Sequence, residues 1–152
     1  MAGCRIIYGI LPKVVSLLQR IEAMLATERL RSDHDLVRLV EERLPTRVID
    51  SLRRSGLADE EIYSLILPRR TLTHRVARRE PLSLEESDRV VRLVRIAAFG
   101  EQVFGDGERF WRWFRAAKRQ FGGRTPLEMV ATEAGARLVE EFLGAIDHGF
   151  AA

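Results

Sequence analysis

The sequence predicts an all-α fold, and three observations carry that expectation. Apolar residues recur three and four apart in one stretch after another, as the buried face of a helix requires. The breaks between stretches hold helix signals: Ser32, Ser83, Asp106 and Thr132 can cap free amides, and Gly56, Gly105 and Gly149 can end a helix. No strand-like alternation of useful length occurs.

A chain of 152 residues can build one good-sized core or two small domains without disulfide staples. Cys4 is its only cysteine, which fits a reducing cytoplasm and excludes a disulfide framework or a cysteine-rich zinc site. No apolar run reaches the roughly 18 residues of a membrane span. The apolar stretch Ile6 to Leu18 lacks the basic start and cleavage site of a signal peptide. The expectation is a cytoplasmic protein with no membrane partner.

From Pro12 to about Thr27, Val14, Val15, Leu17, Leu18, Ile21, Met24 and Leu25 predict an amphipathic helix. Its apolar face can be covered by the rest of the domain or by a second copy of the chain. Ser32 opens a helix carrying Leu36, Val37, Leu39, Val40 and Leu44, which Leu44-Pro45 ends; Val48, Ile49 and Leu52 continue the core over about Thr46 to Ser55. A short helix over Ala58 to Ile66 follows Gly56, opened by Asp59, Glu60 and Glu61, acids that suit its positive end.

Leu67-Pro68 then makes a turn into Arg69 to Arg79, a segment with five arginines. At about 100° per residue, Leu72 and Val76 share an inward face while Arg70, His74 and Arg78 project outward. Helix, tight turn and basic helix form a helix-turn-helix pattern. The chain has 25 Lys and Arg against 22 Asp and Glu; without those five arginines the balance is 20 against 22, so its basicity is local. Either DNA contact or a solvated helix paired with Glu80, Glu85 and Glu86 accounts for it. As a DNA reader, Arg70, His74 and Arg78 would meet the major groove while Arg69, Arg75 and Arg79 neutralise phosphates.

Ser83-Leu84-Glu85-Glu86 is a capping box opening a long helix, with Glu85/Arg89 and Asp88/Arg92 spaced as i,i+4 pairs and Val90, Leu93, Val94 and Ala97 as its buried stripe. Its alternating charges predict an exposed face. Phe104-Gly105-Asp106 closes that helix and caps the next, whose Phe110, Trp111, Trp113 and Phe114 are expected in the core, covered by arginine stems, the alternative being that this cluster, with Arg109, Arg112, Arg115, Lys118 and Arg119, stacks on bases or lies along phosphates. Gly122-Gly123-Arg124-Thr125-Pro126 lacks a phosphate loop's lysine ending and preceding strand, so it predicts a structural turn into a helix begun at Pro126. Thr132-Glu133 caps a last helix with Leu138, Val139, Phe142, Leu143 and Ile146 as one stripe. Residues 125–152 hold five acids and one base, Arg137, a balance suited to a protein partner rather than DNA.

His34, His74 and His148 are far apart, and no catalytic or metal-ligating constellation is recognisable, so neither an enzyme nor a cofactor is expected.

The succession Pro68-Arg69-Arg70-Thr71-Leu72, Glu86-Ser87-Asp88-Arg89, Val103-Phe104-Gly105, Gly122-Gly123-Arg124-Thr125-Pro126-Leu127, Thr132-Glu133-Ala134-Gly135-Ala136-Arg137 and Ile146-Asp147-His148-Gly149 resembles the Xre/MbcA/ParS antitoxins, whose partner is a RES-domain toxin. The resemblance covers about residues 33 to 152 in order. It implies an Xre-like helix-turn-helix part on about residues 46–80 and a small helical toxin-binding part on about 95–152. Combined with the breaks above, the expected division is 1–45 (N-terminal helices, available for dimerisation), 46–82 (DNA-binding) and 83–152 (C-terminal). The resemblance further implies an antitoxin that covers the active site of an NAD-consuming toxin and represses its own promoter on double-stranded operator DNA.

Carried over, Arg69, Arg70, Thr71, Thr73, His74, Arg75 and Arg78 would contact DNA. Arg124, Thr125, Pro126, Glu133, Arg137, Asp147, His148, Gly149, Phe150, Ala151 and Ala152 would face the toxin, the last of these as a plug beyond the helix stop. Ala116 to Gln120 departs from the family's proline-containing loop, so the preceding helix is expected to run longer. A homodimer is expected because one helix-turn-helix reads only a short half-site. A stand-alone regulator without a toxin is the rival reading, and a neighbouring RES-like reading frame discriminates between them.

Overall fold

A computed structural model describes residues 16–149, all helices and connections with no strand among them. The helices are α1 (Leu17–Leu25), α2 (Asp33–Glu42), α3 (Val48–Arg54), α4 (Asp59–Leu65), α5 (Arg69–Arg78), α6 (Leu84–Phe104), α7 (Gly107–Phe114), α8 (Pro126–Met129) and α9 (Glu133–Asp147), with a 3-10 turn at Arg119–Phe121. The all-α expectation is met. Cys4, the expected first helical turn at Pro12 and the expected plug Phe150, Ala151 and Ala152 lie outside the described residues.

The local signals act as their chemistry requires. Ser83 accepts from the Glu86 amide at 3.1 Å while Glu86 accepts from the Ser83 amide at 2.7 Å, so α6 starts with two otherwise orphaned amides satisfied. Thr125 and Glu128 do the same at the start of α8, where Pro126 occupies the first turn and needs no amide partner. Thr132 accepts from the Gly135 amide to open α9. α6 ends on Gly105 at φ +66, a conformation that favours glycine.

α6 is the spine of the molecule. α1 and α2 pack on it from the N-terminal part, and α7 and α9 from the C-terminal part. Val90, Val91, Leu93, Val94, Ile96, Ala97 and Ala98 are all buried, so its apolar surface is wider than one stripe, as expected of a helix covered by neighbours on several sides. Burying a valine, leucine or isoleucine side chain contributes about 1.5–3 kcal/mol, and α6 alone contributes five of them, with Ala97 and Ala98 beside them.

Four expectations need correction. The charges of α6 are not simply solvated: Arg92, with its side chain only 15% exposed, lies 3.5 Å from Asp88 and 3.4 Å from Glu133, and Arg95 lies 3.0 Å from Glu140, so both reach α9. Val76 is 55% exposed rather than inward, because at 40° beyond Leu72 it misses the shallow contact that α5 makes. Leu138 is 49% exposed because α9 presents Val139 and Leu143 to α6. The helix before Ala116 does not run longer: α7 stops at Phe114, and the Lys118 amide donates to the Arg124 carbonyl at 3.0 Å, closing residues 118–124 into a compact turn.

Candidate functional site

The first surface is built around α5. Gly56 ends the segment after α3 with φ +111, and a Cβ there would meet the Trp111 ring at 2.9 Å, so the chain can reverse there only because the residue is glycine. Glu61 then accepts from the Ala58 amide at 2.8 Å and opens α4. Leu67 is buried, and Pro68, extended at φ −59 and ψ 147, delivers the chain into α5. Helix, turn and helix thus form as the sequence predicts.

α5 is held to α6 by few but specific contacts. Leu72 is its one buried residue. Arg89 on α6 donates to the Ile66 carbonyl at 3.0 Å, fixing the turn that precedes α5. Glu86 does two jobs: one carboxylate oxygen caps α6, and the other accepts from Arg75 Nη2 at 3.2 Å, with Arg75 Nε 2.9 Å from the capping oxygen. Arg75 also donates to the Pro81 carbonyl and lies 3.8 Å from Glu80. That corrects one expected role, since the Arg75 guanidinium is turned inward and occupied. Its position 300° from Leu72 on the helical wheel places it at the edge of the inward face.

The outward face is open. Arg69, Arg70, Thr73, His74 and Ala77 line one shallow depression along α5. Arg69, Arg70, Thr73, His74 and Arg78 are exposed, whereas Thr71 is half-buried beside Leu72. Thr73 donates its hydroxyl to the Arg69 carbonyl at 3.0 Å. Arg78 approaches Glu80 only at 4.0 Å, and Arg69 and Arg70 have no ion pair among the described residues. Two unpaired guanidiniums on a narrow exposed helix suit a polyanion better than a protein core.

The second surface belongs to α7, α8 and α9. Phe110 and Phe114 are fully buried and Trp111 nearly so, with centroids 4.9 to 5.7 Å apart, which makes the aromatic cluster a packing element as expected. Arg115 lies over the Trp111 ring at 5.1 Å and Lys118 over Trp113 at 5.4 Å. Burial lowers the pKa of Lys118 below the ordinary lysine value. Trp113 also stacks on Phe142 at 5.9 Å, which locks α7 against α9.

Of the residues expected to face a partner here, Arg124, Glu133, Arg137, Asp147, His148 and Gly149 are exposed. Glu133 also lies 3.4 Å from Arg92. Thr125 and Pro126 serve the fold: Thr125 caps α8, and Pro126 is buried. Sequence reasoning missed Leu138, which joins Ala134 and Glu141 as an exposed stripe at i, i+4 and i+7. The signal was present, since Leu138 and the core residue Val139 are neighbours and point about 100° apart.

A family model described as the antitoxin Xre-like helix-turn-helix domain matches residues 35–95, from α2 into α6. A second, described as the antitoxin Xre/MbcA/ParS C-terminal toxin-binding domain, matches residues 99–149. The chain is 34% identical over 131 residues to an antitoxin Xre of Pseudomonas putida, covering 86% of this chain and 82% of that protein. It is 28% identical to an antitoxin Xre of Photorhabdus laumondii, covering 73% of this chain and 77% of that one. It is 32% identical to one of Yersinia enterocolitica, covering 67% and 71%. With both family models matched in the order of the fold and a relative aligned along most of the chain, this protein belongs to the Xre/MbcA/ParS family of antitoxins.

Proposed function

We propose that this antitoxin neutralises a RES-domain, NAD-consuming toxin through its C-terminal helices and represses its own promoter through α5. The observation that carries the reading is the division of surface chemistry. The outward face of α5 offers Arg69 and Arg70, which have no ion pair among the described residues, while α9 offers an exposed leucine beside Arg137 and Glu141. Cations along an open exposed helix attract phosphate, and an exposed leucine on a helix whose other free positions are largely polar suits a protein partner.

In this reading Arg70, His74 and Arg78 approach base edges, Arg69 meets phosphate, Thr71 and Thr73 flank the contact, and Arg75 holds the helix in place. Arg124, Glu133, Arg137, Leu138, Asp147 and His148 rim the toxin, with Gly149 to Ala152 entering its active site. Reading paired half-sites needs two copies of the chain. Val37 and Leu84, both about half-exposed on facing walls of the groove between α2 and α6, supply apolar surface for a homodimer.

The test is co-expression with the neighbouring toxin gene. The full chain is expected to restore growth and intracellular NAD, and a chain ending at His148 to lose that rescue while still shifting a duplex from its own promoter. A soluble, expressed full chain that shifts the duplex but rescues neither growth nor NAD would favour a stand-alone regulator.

A further inference from the structure

Resting on the DNA-binding reading of α5, we infer that the turn between α2 and α3 is a second phosphate clamp, in which Arg43 and Arg47 act together with Arg79 on the DNA backbone beside α5. The two turns involved are fastened to each other. The Leu82 amide donates to the Leu44 carbonyl at 2.9 Å, and the Leu44 amide donates to Ser87 Oγ at 3.0 Å, both inside the core. Arg43 directly precedes Leu44, and Arg79 leaves α5 three residues before Leu82, so arginines 36 positions apart in sequence sit on adjoining turns at the exit of α5.

Their charge is available. Arg43, Arg47 and Arg79 are exposed, and none has an ion pair or side-chain hydrogen bond among the described residues. Acids are close in sequence but engaged elsewhere or unpaired with them: Glu80 lies against Arg75 and Arg78, and neither Glu41 nor Glu42 pairs with Arg43. A protein surface that wanted neutrality here had carboxylates at hand.

The backbone adds an independent argument. Arg79 sits at φ +55 and ψ 34, the left-handed region that glycine or asparagine adopts at lower cost than arginine, and Arg43 at φ +63 and ψ 123, a conformation that only glycine adopts readily. Surrounding hydrogen bonds impose the conformation on both turns, and among the described residues no ion pair or hydrogen bond of either guanidinium offsets it. What arginine supplies at these positions is a forked, permanent cation matched to phosphate oxygens. Contacts of this kind fix register and add affinity without reading sequence.

Fluorescence anisotropy of the full chain on a duplex from its own promoter and on a scrambled duplex, each across a salt series, tests this. Arg43→Gly and Arg79→Gly are expected to melt no lower than the wild type, yet to bind both duplexes several-fold more weakly. Each should lower the log–log salt slope by about 0.9, as expected when one phosphate is no longer neutralised. Arg43→Lys should keep the slope, and Arg70→Ala should instead weaken the promoter duplex selectively. Should Arg43→Gly fold poorly, Arg43→Gln removes the charge with a side chain of similar length and gives the same readout. Wild-type affinity and slope in both glycine variants would overturn the clamp while leaving α5 as the reader. A wild type that binds neither duplex would overturn the DNA-binding reading and the clamp with it.

Discussion

Arg115, at the end of α7, grips Glu61 on α4 across 54 residues of chain, its Nε and Nη2 donating to the two carboxylate oxygens at 2.6 and 2.8 Å. The same Nη2 reaches the Gly56 carbonyl at 2.6 Å. A residue of the toxin-binding domain thus holds the entrance of the helix-turn-helix. Burial alone would raise the pKa of Glu61, but the hydrogen bonds from Arg115 and the Ala58 amide outweigh it and hold the carboxyl below the ordinary value. The bidentate geometry is favourable, yet the Arg115 side chain is 39% exposed, so screening reduces the worth of the pair. Arg115→Ala is expected to lower stability by about 1 kcal/mol in thermal melts, and Arg115→Lys to recover only part of it. Because the folded pKa is lowered, this contribution is present above the ordinary glutamate range and fades as pH falls through the folded value. The gap between wild type and Arg115→Ala should therefore narrow in melts taken below pH ~4.5.

Glu101 behaves with the opposite sign. Its burial beneath α7 raises its pKa, and the hydrogen bond from Trp111 Nε1 at 3.2 Å and Arg20 at 3.9 Å only partly offset that. A raised folded pKa contributes stability that is complete below the ordinary glutamate value and lost as pH rises through the folded one. Glu101→Gln keeps an acceptor for Trp111 and removes the charge. As pH rises from about 4.5, melting temperatures of the wild type should decline more steeply than those of the variant, a difference that equal slopes would contradict.

Two glycines mark where helices touch. A Cβ on Gly100 would overlap the Phe110 ring, and one on Gly135 would overlap the Met129 carbonyl oxygen. Gly105, by contrast, has φ +66 and open space around it. Gly100→Ala and Gly135→Ala are each expected to cost about 1–3 kcal/mol, with Gly135 at the upper end because backbone cannot move aside as a ring can. Gly105→Ala should cost only about 1 kcal/mol, from conformation alone. Chemical denaturation of the three variants checks the order.

Periodicity and caps made most of the fold legible. The turn at Pro68, the box at Ser83 and the stop at Gly105 are local devices, and each forms where its residues stand. Inward and outward facing was harder. Val76 lies one helical turn after the core residue Leu72 and Leu138 lies next to the core residue Val139, and their exposure is decided by how α5 and α9 pack on the rest of the fold. The roles of Arg75 and Arg115 were out of reach for a different reason. Both depend on a carboxylate brought near by tertiary packing, Glu86 for one and Glu61 for the other. An arginine-rich segment announces charge, but only the fold shows which guanidiniums remain free.

Glu86 makes that distinction testable. Glutamine there keeps an oxygen for the Ser83 amide but turns an NH2 group toward Arg75, so the cap survives and the ion pair does not. Removing one partner of a buried pair costs about 3–5 kcal/mol, but Arg75 retains partial solvent access and the Pro81 carbonyl, so a loss of about 1–2 kcal/mol is expected. With Leu72 as the only other buried anchor, α5 should tilt or fray. Glu86→Gln is therefore expected to weaken promoter binding at least as much as Arg70→Ala does, while neutralisation of the toxin is retained. Unchanged duplex affinity in a folded variant would contradict the positioning role of Arg75.

Leu138 supplies the complementary test on the other surface. Its side chain is half-exposed on α9 between Ala134 and Glu141, away from the Val139 and Leu143 face that packs on α6. Leu138→Asp should thus fold and melt like the wild type, since no core contact is removed and surface substitutions rarely exceed about 0.5 kcal/mol. Apolar side chains at the centre of a docking patch commonly contribute about 2 kcal/mol or more to binding, and a buried aspartate would add its desolvation penalty. The variant is expected to bind the toxin at least about tenfold more weakly in calorimetry and to lose growth rescue, with promoter affinity unchanged. Full rescue by Leu138→Asp would move the toxin contact off this stripe, toward the charged edge formed by Glu133, Arg137 and Glu140.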